Sequence, residues 1–453
     1  MFKYLLSFLI MASSMAITQV KIKYEKYVLP NGLNVILHED HSVPIVSVNL
    51  WYHVGSGREV QGKSGFAHLF EHMMFQGSKN IAKGDHFKHL QDAGGTLNGS
   101  TNTDRTNYWE IVPSNFLELA LYLESDRMGF LLDALTQDKL DNQRDVVKNE
   151  RRQNYENQPY GLADKTINET LYPPDHPYHW LTIGTQEDLT NASKEDVMQF
   201  FRSYYTTNNA SLCIGGDFTP KAAKELVKKY FGELPAGSKV EKVKAWMPTL
   251  NENKYLVMED RVQLPRLYLT WHAVPQFAKD EPVLDILSEI LSSGKNSRLY
   301  KSLVYEKQIA QDVSSYNSGG EIAGAFAITA TAKPGITLKQ LEDEIYKEIE
   351  KIKLEGITKR ELDRVKNDHE ASFIYRLQSV GGFGGKTDQL NAYNVFVGDP
   401  GYFNKDLERY KKVSKKDINE AAAKYLKQNG KVILSVVPNG RLDLQTKGSE
   451  ESK

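Results

Sequence analysis

Residues 192–197 read Ala-Ser-Lys-Glu-Asp-Val and residues 413–418 read Val-Ser-Lys-Lys-Asp-Ile, so that Ser193 and Ser414 stand 221 positions apart. In both stretches a serine precedes an acidic residue by three positions, which is the signature of a capping box at the start of a helix. An apolar run follows each helical pattern and predicts a buried strand. The same helix and strand therefore recur at about half the chain length, which indicates a duplicated domain.

A second repeat supports this interpretation. The segment His-Leu-Phe-Glu-His at 68–72 matches Ile-Leu-Ser-Glu-Ile at 286–290, an offset of 218 residues. Two repeats at nearly one offset favour a duplication over the alternative, two unrelated pieces that share a common capping pattern. Strand patterns and long helical patterns, the latter over 115–132, 139–155 and 338–355, predict an α+β fold. We expect two homologous αβ domains in tandem, each an antiparallel-rich sheet with helices packed on it.

The first residues have the pattern of a secretory signal. One early cation, Lys3, precedes an apolar run from Tyr4 to Ala12 and then small residues up to Ala16. This pattern predicts a signal peptide over 1–16, cleavage after Ala16 and export to the periplasm. The run is about half the ~20 residues that span a bilayer, so we expect no stable membrane insertion. An uncleaved interfacial anchor is the alternative.

Composition places the remaining chain among ordinary globular proteins. The 453 residues include 57 basic and 58 acidic side chains, and this balance argues against a nucleic-acid partner. The single cysteine, Cys213, excludes an internal disulfide and a cysteine-based zinc site, so a metal here needs histidine and carboxylate ligands. We expect domains over 17–236 and 255–440, an exposed linker over 237–254 and a disordered polar tail over 441–453.

One short segment has the residues for metal chemistry. On a helix, His68 and His72 are four residues and about 40° apart, so both imidazoles lie on one face, with Glu71 beside them. Catalytic zinc sites use three protein ligands and a water molecule, and an adjacent carboxylate can take a proton from that water. The inverted His-x-x-Glu-His pattern therefore predicts a metallopeptidase. The alternative is a helix whose histidines form hydrogen bonds in a core.

A third ligand has to come from elsewhere in the chain. Glu150 follows the apolar Val147 by three residues and can share its inward face, but a solvated charge on a charged helix is the favoured explanation of Glu150 from the helix pattern alone. We interpret four other histidines as non-ligands: His86 and His89 as surface residues, His176 and His179 as loop residues.

The sequence resembles the pitrilysin-like zinc metallopeptidases, close to the bacterial relatives of the mitochondrial processing peptidase β subunit. Besides the histidine motif, the likeness rests on residues 29–33, 54–57, 94–98, 104–108, 149–150, 159–161 and 297–299. The resemblance implies one zinc ion per chain, bound by His68, His72 and Glu150, with Glu71 as the base that activates a zinc-bound water. It also implies half of a clamshell that encloses a peptide-sized chamber, in which extended peptides or unfolded segments are hydrolysed.

Three positions depart from the family pattern. Family members often carry a Glu seven residues before the ligand Glu, where this chain has Gln143; an amide can hold a ligand by a hydrogen bond but adds no charge. The Arg and Tyr that follow the Ser-Arg-Leu motif align with Val304 and Gln311, which offer neither a guanidinium nor a phenol. The resemblance then implies a heterodimer, in which a related partner lacks the histidine motif and supplies Arg and Tyr. A shifted register, in which another residue serves, is the alternative: Tyr300, Tyr305 or Arg298.

The resemblance also separates the two halves in function. The second half keeps Glu289 but has Ile286 and Ile290 at the ligand positions, so we expect it to bind no metal. An extended peptide can add to an exposed strand edge by main-chain hydrogen bonds. We expect this at residues 96–103, with the substrate-binding residues Asn98, Gly99, Ser100 and Thr101.

Two rival functions compete with this prediction. Residues 381–387 read Gly-Gly-Phe-Gly-Gly-Lys-Thr, but a phosphate loop needs a glycine where Val380 stands, so we interpret the segment as an inter-helix loop. The stronger rival is a non-catalytic assembly subunit of the same family. Retention of all four motif residues favours catalysis: His68, Glu71, His72 and Glu150.

Overall fold

The structure, a computed structural model, describes residues 20–446 and 448–451, so the predicted signal peptide lies outside it. The first sheet has six strands in the order β1-β2-β6-β3-β5-β4. Strands β2 and β6 are parallel and the other neighbours are antiparallel. The strands are β1 (Glu25–Val28), β2 (Asn34–Glu39), β3 (Ile45–Tyr52), β4 (Thr96–Thr101), β5 (Thr106–Pro113) and β6 (Ala210–Gly216).

The second sheet repeats this arrangement. Its order is β12-β7-β11-β8-β10-β9, with β7 parallel to both β11 and β12 and the other pairs antiparallel. Five strands of each sheet therefore share one order and one set of directions, which confirms two homologous αβ domains in tandem. The strands are β7 (Lys254–Asp260), β8 (Arg266–Ala273), β9 (Ala310–Gly319), β10 (Gly324–Ala332), β11 (Lys431–Pro438) and β12 (Glu450–Glu451).

The helices are distributed over both halves. Those of the first half are α1 (Phe66–Met73), α2 (Asp85–Asp92), α3 (Leu117–Phe130), α4 (Gln137–Arg151), α5 (Ala163–Leu171), α6 (Gln186–Asn191), α7 (Lys194–Tyr204) and α8 (Pro220–Phe231). Those of the second half are α9 (Glu281–Ser292), α10 (Leu338–Glu355), α11 (Lys359–Arg376), α12 (Lys386–Val397), α13 (Phe403–Lys412) and α14 (Lys415–Tyr425).

Both predicted capping boxes form. The Ser193 and Ser414 side chains accept hydrogen bonds from the backbone N–H groups of Asp196 and Asp417, whose carboxylates accept from the serine N–H groups in return. Each capped helix leads to a strand that is buried along almost its whole length, β6 in the first half and β11 in the second. The opening sequence repeat is therefore a structural repeat.

The two halves exchange one helix each. Helix α5 of the first half packs on the second sheet, where Ile167 and Leu171 contact a buried cluster that includes Val432. Helix α12 of the second half packs on the first sheet, where Leu390 lies in one cluster with Ile36. Each sheet is thus covered on one face by its own helices and on the other by a helix of the opposite half. This exchange fixes the two halves to each other by apolar burial.

The C-terminal segment differs from the prediction of a disordered tail over 441–453. Leu444 and Thr446 are buried, and the Thr446 N–H donates a hydrogen bond of 3.1 Å to Ser435 Oγ in β11. Strand β12 pairs with β7. The polar composition was misleading because strand pairing satisfies backbone groups and needs few apolar side chains.

The predicted linker has no helix or strand through residue 253, and β7 begins at Lys254. Helix positions agree closely with the periodicity, and the predicted helix 338–355 is α10. In residues 20–446 and 448–451, no helix combines the length and apolar character that crossing a bilayer requires.

Candidate metal centre

Helix α1 carries the histidine motif and is fixed at its start by a buried carboxylate. Its apolar face is packed in the first-half core, with Leu69 and Phe70 fully buried. Gly65, at φ 89°, precedes the helix in the left-handed region. The Glu59 carboxylate accepts hydrogen bonds from the N–H groups of Gly65 (2.9 Å) and Ala67 (2.8 Å). These donors are otherwise unpaired at a helix start, so Glu59 fixes the helix against the core.

The structure brings the three predicted ligands together. Glu150, on α4, has its Oε2 atom 3.3 Å from His72 Nε2 and 3.8 Å from His68 Nε2. One ligand atom from each of the three residues lies within 4.8 Å of the others. Tetrahedral ligands ~2.0–2.1 Å from a zinc ion are about 3.3 Å apart, so this spacing fits a zinc ion with little movement. Two imidazole nitrogens and one carboxylate form the donor set of a catalytic zinc site, which keeps a fourth position open.

Two of the three residues, His68 and Glu150, favour the protonation state of a metal ligand, and His72 does not. Burial, together with the neighbouring His72, lowers the pKa of His68 to about 4, so this imidazole is neutral near pH 7. Burial lowers the pKa of His72 as well, but Glu150, Glu71 and Gln143 together outweigh burial and leave that pKa above its ordinary value. The hydrogen bond with His72 lowers the pKa of Glu150. A divalent cation would therefore compete with a proton for His72.

Glu71 lies between the histidines and the edge of the first sheet. The Thr101 hydroxyl, at the end of β4, donates a hydrogen bond of 2.7 Å to Glu71 Oε2. Burial raises the pKa of Glu71, and the bond from Thr101 opposes this shift. Gly99 is next to the same side chain, since a Cβ atom at this position would lie 3.3 Å from Glu71 Cγ. Glu71 is therefore held against β4.

Gln143, which stands where the family often has a Glu, interacts with the ligand His72. Its side chain is buried on α4, and hydrogen bonding to its amide is one of the causes that raise the pKa of His72. Its Nε2 group donates to Asn142 Oδ1 at 2.9 Å. The amide thus orients His72 without adding charge.

The four predicted substrate-binding residues lie on β4, which is the edge strand of the first sheet. Asn98 is exposed, and its side chain accepts a hydrogen bond from the Gly99 N–H. Ser100 Oγ donates to Asn107 Oδ1, and Arg105 Nη1 donates to the Ser100 carbonyl oxygen at 2.9 Å. Side chains alternate along a strand, so Gly99 and Thr101 face Glu71 while Asn98 and Ser100 face the opposite side.

The two positions without Arg and Tyr lie in the second half. Val304 belongs to an irregular helical turn and packs on the second core, whereas Gln311 is exposed near the start of β9. Arg298, one of the alternatives, donates hydrogen bonds to the Glu361 carboxylate (2.7 Å) and to the Gly356 carbonyl oxygen (2.9 Å). Tyr300 packs against the second core and Tyr305 is exposed.

Ile286 and Ile290 are buried in the second core, at positions equivalent to the two histidines. Burial raises the pKa of Glu289 to about 7, and His369 Nδ1 is 4.0 Å from its carboxylate.

One histidine differs from its sequence interpretation. His86 is buried, and its Nε2 atom is 3.2 Å from Glu110 Oε1, so the prediction of a surface residue was wrong. His89 is exposed as predicted. His176 and His179 form hydrogen bonds to the carbonyl oxygens of Trp246 and Tyr172, so their ring nitrogens are in use within the loop.

The glycine-rich segment 381–385 connects α11 to α12, as the sequence predicted. Asp388 accepts hydrogen bonds there from the Gly384 N–H and from Trp51 Nε1, so the loop contacts the first sheet.

Sequence reasoning missed two contacts at the centre. The Glu59 cap joins residues six and eight positions apart, beyond the span of a capping box. The Thr101 contact with Glu71 depends on how β4 docks on α1. Glu59, an acidic residue six positions before Gly65, was the only local signal for the cap. Nothing local indicated the hydrogen bond between Thr101 and Glu71.

A His-His-Glu cluster is a donor set of catalytic zinc sites, and here it lies beside an edge strand of a duplicated fold. The family model described as insulinase (peptidase family M16) matches residues 34–176, and the one described as peptidase M16 inactive domain matches 191–368. The chain belongs to peptidase family M16.

The individual relatives agree with this assignment. The chain is 32% identical over 424 residues to the zinc protease PqqE of Helicobacter pylori, covering 92% of this chain and 93% of that protein. It is 22% identical to a probable mitochondrial-processing peptidase β subunit of Arabidopsis thaliana, over 78% of this chain and 67% of that one.

A solved protease structure from H. pylori superimposes with a TM-score of 0.85 at 31% identity, covering 92% of this chain and all of that one. The first half of the periplasmic protease PqqL of Escherichia coli has the same fold, with a TM-score of 0.75 at 18% identity over 92% of each chain.

Proposed function

We propose that this chain is a zinc-dependent endopeptidase that hydrolyses extended peptides or unfolded segments. The observation that carries the proposal is the convergence of His68, His72 and Glu150 with Glu71 beside them, next to the open edge of β4. His68, His72 and Glu150 would hold one zinc ion. When bound, zinc supplies Lewis-acid chemistry that acidifies water and polarises a carbonyl group.

The residues of the chain have separate tasks in this reaction. Glu71 accepts a proton at its carboxylate and later returns it to the leaving amine, as a general base and then a general acid. The free edge of β4 binds the peptide by main-chain hydrogen bonds, which makes binding tolerant of sequence. We assign peptide contact along that edge to Asn98, Gly99, Ser100 and the main chain of Thr101. Burial of the site strengthens electrostatic interactions there.

The proposal is tested by zinc content and peptide hydrolysis together. The purified chain should contain about one zinc ion, and His72→Ala should lose it because a neutral imidazole ligand is removed. A well-folded chain that binds no zinc would support the rival function, a non-catalytic assembly subunit. Zinc binding without turnover in any combination with a partner would also refute the peptidase.

We infer further that this chain is the catalytic subunit of a heterodimer. The support is that Val304 and Gln311 stand where the family resemblance expects Arg and Tyr, and that Arg298 is already paired with Glu361. A related partner without the histidine motif would supply both groups and close the chamber. The experiment compares turnover of the chain alone with turnover after adding a candidate partner. Full turnover alone would contradict the heterodimer.

We also propose export to the periplasm with cleavage after Ala16. The support is the pattern of the first residues and the fold shared with a protease that is described as periplasmic. Cell fractionation should recover the chain from the periplasm, and N-terminal sequencing should begin at Ile17. A cytoplasmic chain that retains Met1 would refute this proposal. We also propose a first domain over 17–236. The second domain, expected over 255–440, is extended in this proposal by Lys254 and by β12 (Glu450–Glu451), because both belong to the second sheet.

A further inference from the structure

Thr101 was predicted from sequence to contact substrate, but its hydroxyl is used within the protein. The Thr101 Oγ1 atom donates to Glu71 Oε2 at 2.7 Å. Thr101 is the last residue of β4, and its backbone pairs with Thr106 in β5. The backbone of Thr101 is therefore fixed by its pairing with β5. Its β-branched side chain also has few favourable χ1 rotamers, which restricts the position of the hydroxyl.

Gly99 and Tyr108 also restrict the position of the Glu71 side chain. Gly99, two residues earlier on the same face of β4, leaves just enough space for the Glu71 side chain, because a Cβ atom there would lie 3.3 Å from Glu71 Cγ and 3.0 Å from Tyr108 Cδ1. Tyr108 is fully buried, so this wall cannot yield easily. One face of Glu71 is thus supported by β4, and one of its two oxygens is occupied by Thr101.

We propose that Thr101 is a positioning residue that holds the Glu71 carboxylate in its reactive orientation, with Oε2 fixed by the hydroxyl and Oε1 left to exchange the proton. This inference rests on the proposed peptidase function. A general base needs its accepting oxygen within hydrogen-bond reach of the proton, and a displacement of about 1 Å can cost ~100-fold in rate. A freely rotating carboxylate would spend part of its time in unproductive orientations.

The test uses three variants of the zinc-loaded chain, with a partner subunit present where the parent requires one. Thr101→Val keeps the shape and removes the hydroxyl, whereas Thr101→Ser keeps the hydroxyl. Thr329→Val makes the same chemical change in β10 of the second sheet and serves as the control. With fluorogenic casein as the probe, Thr101→Val should lower kcat about 10- to 100-fold at unchanged KM, while Thr101→Ser stays within about threefold of the parent.

Two measurements do not depend on turnover. Zinc affinity, measured by competition with a chromophoric chelator, should be the same in Thr101→Val and the parent, because Thr101 contacts no ligand. A crystal structure of metal-free Thr101→Val should show the Glu71 carboxylate displaced or in more than one conformer, and Thr101→Ser should restore the single orientation.

The outcomes separate the inference from the function on which it rests. A parent without zinc or turnover refutes the peptidase, and the inference falls with it. An active parent whose Thr101→Val variant turns over equally fast refutes the inference alone. Loss of zinc in Thr101→Val, equal losses in the Val and Ser variants, or an unmoved Glu71 would also overturn it.

Discussion

Gln143 offers a quantitative test of how the metal centre is built. Hydrogen bonding to its amide contributes to the raised pKa of His72, and Gln143 is only 6% exposed, so a leucine in its place leaves little room for a water molecule to act as the acceptor. In Gln143→Leu the side chain keeps its approximate size but the ring N–H is left unpaired. Loss of such an outer partner weakens metal binding about 10- to 100-fold, or about 1.4–2.7 kcal/mol. Because Gln143 itself is buried, we expect a value near the upper limit.

The assay is a zinc titration against a chromophoric chelator at constant pH. Gln137→Leu is the matched control, because Gln137 is an exposed glutamine on the same helix and contacts Asp141 rather than a ligand. Gln143→Glu should shift the affinity in the opposite direction, by about tenfold, because a carboxylate forms a stronger, charge-assisted bond to the imidazole. The reasoning is refuted if Gln143→Leu binds zinc within about threefold of the parent while it melts at the same temperature.

Three further predictions concern the base, the ligand charges and the junction between the halves. Glu71→Gln should keep its zinc ion but lose about 10²- to 10⁴-fold in peptide turnover, and a variant with parental turnover would exclude Glu71 as the base. Zinc affinity should decrease as the pH is lowered from about 8 to about 6. The pKa of His72 lies above its ordinary value, and below that pKa a proton competes with the metal for the ring. A zinc affinity that does not change over this pH range would contradict this. Tyr178→Phe should lower the free energy of unfolding by about 1–3 kcal/mol in urea titrations. The reason is that the buried Tyr178 hydroxyl donates a hydrogen bond to Asp104 at 2.6 Å and accepts one from the Ile322 N–H at 3.0 Å. An unchanged midpoint would show that water replaces these bonds.

The sequence predicted those parts of the fold that depend on short-range patterns. The capping boxes at Ser193 and Ser414, the strand Ile45–Tyr52 and the helix Leu338–Glu355 follow from local spacing, and all of them form. The exchange of α5 and α12 had no local signal. Both helices bury apolar residues, and periodicity states that a face is buried without stating against which sheet.

Because sequence patterns report only short-range geometry, they predicted some residues of the metal centre and not others. His68 and His72 are four residues apart, so helical geometry alone places them on one face. Glu150 is 78 residues beyond His72, and its position followed only from the family resemblance. His86 was assigned to the surface because its helix is rich in lysine, although its spacing of four residues from the buried Leu90 indicated the inner face.

The second half shows what the metal ligands contribute to this fold. Helix α9 packs against β9, the counterpart of β4, and Ile286 and Ile290 fill the core where the first half carries His68 and His72. Because the same strand order forms around apolar side chains, neither the sheet nor the helix depends on a bound ion. In the first half, His68, His72 and Glu150 put polar groups where the second half has apolar side chains. Apolar packing and the Glu59 cap therefore position α1, and the ligands can be ordered before zinc binds.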